Sequence, residues 1–412
     1  MREFSDKRSS NLVANRPVRE IRSLTAVRGL GALYVMLFHA YLFFEIYTLP
    51  GGAENSLLQD NKWIIKNPLF GHGYLGVDLF FILSGYVMHY VYADAFFSAS
   101  GKKRLMVFRR FLTHRVARVY PMHVVVLTGV IFYTALKLNY FHLGQPSTVL
   151  ARYPVGTMLL NYALLQRIIP CPSIVIPAWS VSVEMLSYAL FPLLLLLFAT
   201  GSRIVAVGIA ALAFAALGCV EAHTHGLLHN FTEGYYPALR GVAGFALGMV
   251  AFRLSNSAKV RGVIRHPVFL AGAILAMIVL LDRNDDDRLT VAIFVLLVAA
   301  LGQDTTMAER IFCNRFLLWI GTISYSVYLI HMPLVPLMFY LNMAFARMLP
   351  PAWIAVLPAK SVFLAEYLLF AALVLMIASS TYRWIETPAR RWLRDALDRP
   401  APTVVPEHQL TG

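Results

Sequence analysis

The chain alternates between long apolar stretches and short polar loops. Ten stretches are predicted to cross a bilayer, at 23–47, 73–92, 119–138, 178–198, 204–220, 235–254, 267–281, 290–301, 316–340 and 363–377. An eleventh stretch, 155–169, is shorter than the roughly 17 residues that a crossing helix needs and is predicted to be re-entrant or interfacial. The pattern therefore predicts an all-α polytopic membrane protein with about ten transmembrane helices and one short extra helix.

The charges in the loops predict an orientation. The segment 96–118 contains seven Lys or Arg residues and no acid, which is typical of a cytoplasmic loop. With ten crossings both termini are cytoplasmic, and the acidic turn at 282–287 lies outside. The predicted divisions are a cytoplasmic tail at 1–22, a transmembrane domain at 23–389, and a basic, then Pro-rich cytoplasmic tail at 390–412.

Composition supports the membrane class. Of 412 residues, 58% are hydrophobic and 14% charged, and the mean hydropathy is +0.62, whereas a soluble domain carries about 25% charged residues. The net charge of +14 gathers in short loops, which indicates topology rather than nucleic-acid binding. The three cysteines are scattered without a CxxC pair, and no metal site is predicted.

Ionisable residues inside the apolar stretches are the candidates for chemistry, because charge in a bilayer is costly. Arg28 and His39 are eleven residues apart in the first stretch, so they share one helix face about 16 Å apart along the axis. The helical rise per residue, counted from the predicted membrane edges, places His39 and Glu184 at one depth. The hypothesis is that His39 is a base and Glu184 is the carboxylate that orients it. The same count brings Asp78 and His331 near that depth.

Each of these residues also has a structural interpretation. His39 could be a satisfied core histidine, and Glu184 could pair with Arg240. Asp78 could interact favourably with the positive end of the helix dipole at a helix N-terminus. His331 precedes Met-Pro and could stabilise a kink.

Arg115 and Arg118 are spaced i, i+3 and point one way from the inner end of the third stretch. With Arg28 they predict a cationic inner mouth that binds phosphates, since arginine does so in bidentate fashion; the alternative is an ordinary positive-inside loop. Small residues in GVDLFFILSG, including Ser84 and Gly85, allow helices or a ligand to approach closely.

Some enzyme classes are not favoured. The sequence contains no G-x-S-x-G elbow, no H-E-x-x-H and no G-x-x-x-x-G-K-[ST] motif. A serine hydrolase with a nucleophile elbow, a zinc protease and an ATP-driven pump are therefore not indicated.

Six segments taken in order resemble one family. They are LTAVRGLGALYVMLFHA with its R-x10-H spacing, GYLGVDLFFILSG, RFLTHRVARVYP, PAWSVSVEM with its S-x-E motif, ISYSVYLIHMP and RWIETPAR. Over 18–392 the chain resembles the acyltransferase-3 family, integral membrane O-acyltransferases of bacterial surface glycans and small glycosides.

The resemblance implies that the donor is a cytosolic acyl-CoA, with acetyl as the default acyl group. The acceptor is a sugar hydroxyl of a surface polysaccharide, a lipopolysaccharide or a lipid-linked sugar, and the location is the bacterial inner membrane. No bound cofactor and no nucleic-acid partner are expected. The family's functional residues map here onto His39, Glu184 and Ser182 for catalysis and Arg28, Arg115 and Arg118 for the donor phosphates. Further pocket candidates are Asp78, Ser84, Trp179 and His331.

Two further expectations stay open. Some relatives carry an added C-terminal esterase-like domain, which this chain does not show, so it is expected to act alone or with a separate periplasmic partner. A rival from another class is a proton-coupled transporter or flippase, in which buried His and acids form a proton relay. Substrate flux without an acyl product would favour the rival.

Overall fold

The computed structural model describes residues 20–48, 71–139, 148–224, 234–283, 286–303, 305–348 and 359–397, and all their regular structure is helical. Residues 390–397 belong to the last helix, and the remainder of both predicted tails, apart from 20–22, lies outside the described residues. The helices are α1 Arg22–Thr48, α2 Gly76–Ser98, α3 Gly101–Asn139, α4 Val149–Arg152, α5 Val155–Tyr162, α6 Ala178–Leu197, α7 Arg203–Thr224, α8 Tyr236–Ser255, α9 Ala258–Ile264, α10 Pro267–Arg283, α11 Asp287–Leu301, α12 Thr306–Phe312, α13 Arg315–Met348, α14 Ala359–Thr381 and α15 Thr387–Leu397. A 3₁₀ turn, Gly73–Leu75, precedes α2, and a π-helix, Tyr382–Glu386, joins α14 to α15.

The all-α polytopic class is confirmed. Eight helices of the described part are long and apolar enough to cross a membrane, and the number rises to ten if two bent pairs each count as one span. The pairs are α9 with α10, bent by 69°, and α11 with α12, bent by 110°. The stretch predicted at 155–169 forms only the eight-residue α5 before the chain continues in turns, so it is too short to cross.

Glycines bring two pairs of helices into close contact. Gly29 of α1 lies against the backbone of Gly321 in α13, and Gly85 of α2 lies against the backbone of Phe245 in α8. Gly248 of α8 in turn lies against the backbone of α2 at Ile82. Because lipid is as apolar as a leucine side chain, such close packing is what holds membrane helices together.

The contacts fix the relative directions of these helices. Helix α1 runs antiparallel to α2, since Gly73 packs on Phe38 and Gly31 packs on Phe80. Helix α13 runs parallel to α1, because Gly321 lies beside Gly29 and His331 lies beside His39 further along both helices. These directions agree with the alternating passages expected from the sequence. The assignment of one side as cytoplasmic stays a prediction.

Helix α3 is longer than one crossing needs. Its 39 residues span about 58 Å, almost twice the roughly 30 Å of the hydrocarbon core. The basic first half has exposed Leu105 and Arg109, and the second half forms the predicted crossing. Arg115 and Arg118 lie where the two halves meet and face the bundle.

Candidate functional site

A cavity of about 540 Å³, lined by apolar, hydroxyl-bearing and charged side chains, lies inside the bundle between α1, α2, α3, α6, α13 and the C-terminal segment. Its charged and hydroxyl-bearing wall residues are Glu20, Thr25, Arg28, Ser84, Tyr90, Arg115, Arg118, Ser180, Glu184, Tyr188, Thr322, Ser324, Tyr325, Tyr328, Tyr382, Glu386 and Arg390. Four arginines and three glutamates leave one formal positive charge. A cavity of this kind in an apolar bundle is the default position of a binding site.

The three predicted arginines share this cavity. Arg28 is held by α13, where Nε donates to Oγ of Ser324 at 3.1 Å and Nη2 donates to the carbonyl of Gly321 at 3.0 Å. Arg115 donates from Nη2 to the hydroxyl of Tyr92 at 3.1 Å, and its guanidinium lies 5.6 Å from the centre of that ring. Its Nε is buried and has no hydrogen-bond partner among the described residues. A buried donor of this kind is costly to leave unpaired, so it is suited to an anionic ligand.

Sequence reasoning missed the contribution of the C-terminal segment. The π-helix places Tyr382 and Glu386 on the cavity wall, and Arg390 follows one turn later. Glu386 is 2% exposed and accepts a hydrogen bond from Ser326 at 2.8 Å. It also interacts electrostatically with Arg118, Arg390 and Arg28. The segment RWIETPAR is part of the family resemblance, but the resemblance assigns no role to Glu386, and Arg390 falls in the predicted tail at 390–412. Single-turn π-helices occur frequently at functional sites.

Glu184 is held in the wall by two hydroxyls. Its Oε1 accepts hydrogen bonds from Ser84 at 3.0 Å and from Tyr188, and the two hydroxyls are themselves 3.0 Å apart. Oε2 forms no hydrogen bond with any described residue. This second oxygen can accept a hydrogen bond from a ligand in the cavity.

His39 and His331 meet just beyond the cavity. Nδ1 of His39 lies 3.2 Å from Nε2 of His331, and the ring centres are 5.1 Å apart. Neither ring lines the cavity, which ends at Tyr328, one turn before His331. Tyr328 packs edge-on against Phe80 and is hydrogen-bonded to Ser180 at 2.7 Å. In the described part of the chain, no group of three or more His, Cys, Asp or Glu residues could hold a metal ion.

The predicted pairing of His39 with Glu184 is not formed. Gly73 of the turn before α2 packs on Phe38, next to His39, whereas Glu184 bonds Ser84, eleven residues further along α2. That separation is about 16 Å along the axis. The prediction that His39 and Glu184 lie at one depth was wrong because it assumed that α6 starts at the membrane edge. Ala178 is in fact fully buried, and its carbonyl accepts a hydrogen bond from Gln166 of the turn segment that covers it.

Asp78 forms a buried ion pair. Nε of Arg240 donates to its Oδ1 at 2.8 Å, and Nη2 of Arg240 contacts Oδ2. The guanidinium also lies 5.8 Å from the centre of the ring of Trp179. The alternative interpretation, in which Glu184 pairs with Arg240, is therefore wrong, because Arg240 pairs with Asp78. Neither Asp78 nor Trp179 lines the cavity.

Ser182 faces away from the cavity. Its hydroxyl donates to the carbonyl of Leu164 at 2.7 Å and accepts from the backbone N–H of Arg167 at 3.3 Å. Residues two apart on a helix point about 200° from each other, so Ser182 and Glu184 cannot share a face. Ser182 holds a turn in which Leu164 has a φ of 57°, a strained value for a residue other than glycine. The serine that contacts Glu184 is Ser84.

Comparison with known proteins points to one family. The family model described as an acyltransferase domain, that of the acyltransferase-3 family, matches residues 21–383. The peptidoglycan O-acetyltransferase OatA of Listeria monocytogenes is 23% identical over 345 residues, which cover 77% of this chain and 51% of that protein. The putative peptidoglycan O-acetyltransferase YrhL of Bacillus subtilis is 24% identical over 292 residues, which cover 64% and 44%.

The chain thus spans about half the length of the curated relatives that it matches. No solved structure matches it. The family model extends from the first helix to the π-helix and so includes nearly the whole wall of the cavity. The chain belongs to the acyltransferase-3 family.

Proposed function

We propose that this protein moves an acyl group, acetyl by default, from cytosolic acyl-CoA to a sugar hydroxyl of a bacterial surface glycan. The observation that carries the proposal is an arginine-lined cavity in an apolar bundle that ends one helical turn from a histidine pair. The names of two relatives support acetyl as the acyl group and make peptidoglycan the first acceptor to test. The proposed location is the bacterial inner membrane, with membrane lipids around the bundle and a separate transferase as a candidate partner outside.

The arginines suit the donor. Coenzyme A carries three phosphates at one end and its thioester at the other, so a cationic mouth and a reactive group further inside match its length and charge. Arg28, Arg115 and Arg118 bind the phosphates, and Arg390 joins them from the C-terminal segment. Arginine binds phosphate through two N–H groups at once, which fixes orientation as well as affinity.

Glu184 receives a different role from the one expected. It lies in the cavity wall rather than beside His39, so it contacts the donor instead of orienting the base. Its unpaired Oε2 accepts a hydrogen bond from an amide N–H of the pantetheine arm. Ser84 and Tyr188 hold the carboxylate in place for this contact.

His39 is the general base of the transfer. Its Nε2 removes the proton of the acceptor hydroxyl while the hydroxyl oxygen attacks the thioester carbonyl. The carbon–oxygen bond forms, the carbon–sulfur bond breaks, and the proton passes from His39 to the departing thiolate. General base catalysis of this kind contributes roughly 10² to 10⁴ in rate. Tyr328 and Ser180 are hydrogen-bonded to each other in the cavity wall, and they separate to let the thioester reach His39.

The test uses purified full-length protein in liposomes, acetyl-labelled acetyl-CoA, and soluble peptidoglycan glycan strands as acceptor. The proposal predicts a base-labile ester on the glycan and one free CoA thiol for each acetyl transferred. Transfer to another surface glycan, but not to peptidoglycan, would leave the enzyme class in place and change the acceptor.

The rival transporter makes the opposite prediction in the same liposomes. It predicts movement of a glycan precursor across the membrane with intact acetyl-CoA and no new ester. Flux without thioester cleavage would contradict the proposed function.

A further inference from the structure

We propose that His331 is the positioning residue of His39. In this arrangement an imidazole takes the place behind the base that enzymes commonly give to a carboxylate. The inference rests on the proposed function, in which His39 is the general base, and it gives His331, expected from the sequence only as a pocket residue, a specific part in that reaction.

The hydrogen-bond partners decide where the protons are. Nδ1 of His39 lies 2.9 Å from the carbonyl oxygen of Val35, which can only accept, so Nδ1 carries the hydrogen. Nδ1 of His331 lies 3.2 Å from the carbonyl oxygen of Val327, so it also carries its hydrogen. In a neutral imidazole the other nitrogen then holds a lone pair, and Nε2 of His331 points that lone pair at Nδ1 of His39 from 3.2 Å. The N–H of His39 is thus shared between Val35 and His331.

This arrangement leaves Nε2 of His39 as the basic atom. Among the described residues it forms no hydrogen bond, and His39 is partly exposed while His331 is fully buried. When Nε2 takes a proton, the imidazolium gains a positive charge in surroundings of low dielectric. The lone pair of His331 faces the N–H of that cation and stabilises it, since hydrogen bonds to charged groups are the strong ones.

The two carboxylates predicted near the depth of His39 have other partners. Asp78 is held by Arg240, and Glu184 is held by Ser84 and Tyr188. No described carboxylate therefore hydrogen-bonds to either ring of the histidine pair. Among the described residues, His331 is the side chain that hydrogen-bonds to His39.

A purely structural role at the kink fits the contacts less well. Pro333 lies two residues after His331 within α13 and, lacking an N–H, leaves the carbonyl of Leu329 without its helical partner. His331 approaches the carbonyl of Val327 instead, whose helical partner is not removed by a proline. The imidazole therefore does not replace the hydrogen bond that the proline removes.

The test compares two substitutions of His331 in the purified full-length protein. Gln can still accept a hydrogen bond near the position of Nε2, whereas Leu cannot. We measure release of CoA thiol from acetyl-CoA, with water or soluble glycan strands as the nucleophile. His331→Leu is expected to lower kcat about 10- to 100-fold and to keep KM for acetyl-CoA within about twofold of the native value. His331→Gln is expected to keep kcat within about threefold of the native value. His331→Met serves as a second apolar variant if His331→Leu does not fold.

Two further variants separate the possible failures. His89→Leu removes another buried histidine, one that packs on Phe198 and Phe252 and does not line the cavity, and it is expected to keep the native kcat. If His331→Leu or His331→Met keeps the native kcat while His39→Gln is inactive, the inference is overturned and the proposed function is not. An equal loss in the Gln and Leu variants also overturns it, because a lost acceptor would not then be the cause. Activity retained in His39→Gln overturns the proposed function and the inference with it.

Discussion

Single residues in this bundle reach their partners by contacts that local spacing does not reveal. Ser182 and Glu184 are two apart in the chain, yet one holds a turn and the other faces the cavity. His39 and His331 are 292 apart and meet at 3.2 Å. The sequence predicted which residues are unusual, because each is ionisable in an apolar stretch. It could not predict most of the pairs, because these depend on how deeply each helix is buried.

The pair formed by Asp78 and Arg240 gives a stability prediction at this scale. Their side chains are 1% and 2% exposed, so Asp78→Asn removes a buried carboxylate that contacts the Arg240 guanidinium at two nitrogens. Loss of one partner from a buried pair costs about 3–5 kcal/mol, and we expect a clear drop in Tm of the detergent-purified protein. The control is Asp286→Asn, which weakens an exposed contact with Arg288 worth at most about 1 kcal/mol. Equal Tm values for the two variants would contradict the structural role of the pair.

Helices and their crossings were predicted more completely than side-chain partners. Apolar length predicted the eight described helices that are long and apolar enough to cross a membrane, since a spanning backbone must satisfy its own hydrogen bonds. Small residues in GVDLFFILSG predicted a close approach, and Gly85 makes it against Phe245. The depth of α6 was not predictable, because Ala178 begins that helix beneath a turn segment that has no periodic pattern.

The crossing of α2 with α8 gives a prediction at the scale of elements. A Cβ at Gly248 would collide with the carbonyl oxygen of Ile82, so Gly248→Ala forces the two helices apart. Overpacking of this kind costs about 1–3 kcal/mol or more, and the yield of monodisperse protein should fall. Gly129→Ala is the matched control, since a Cβ there meets nothing within 4 Å. Similar yields from both variants would show that the crossing tolerates separation.

The whole molecule is a bundle around one charged cavity, and part of this was predictable. Arg28, Arg115 and Arg118 were expected to share a cationic mouth because all three lie near the inner ends of their helices, and they do line one cavity. Arg390 was missed because charge after the last apolar stretch resembles an ordinary tail. The π-helix Tyr382–Glu386, which turns that charge inward, has no sequence signal of its own.

Donor affinity should follow the cavity rather than the overall charge. Arg118→Gln removes a cavity cation and is expected to raise the Kd for CoA about 10- to 100-fold, the effect of losing one hydrogen bond to a charged group. Arg109→Gln removes an equal charge from the exposed face of the same helix and should change Kd by less than about threefold. Equilibrium binding of CoA to the purified variants measures both. Equal effects would favour a general attraction of anions to the basic loop.

The central claim is that a donor bound by the arginines is cleaved next to His39. It is tested most directly by single-turnover release of CoA thiol from acetyl-CoA in native protein and in His39→Gln, with Kd for CoA measured on the same preparations. The account predicts an unchanged Kd and a rate at least about 100-fold slower in His39→Gln. Thiol release at the native rate in that variant would contradict it.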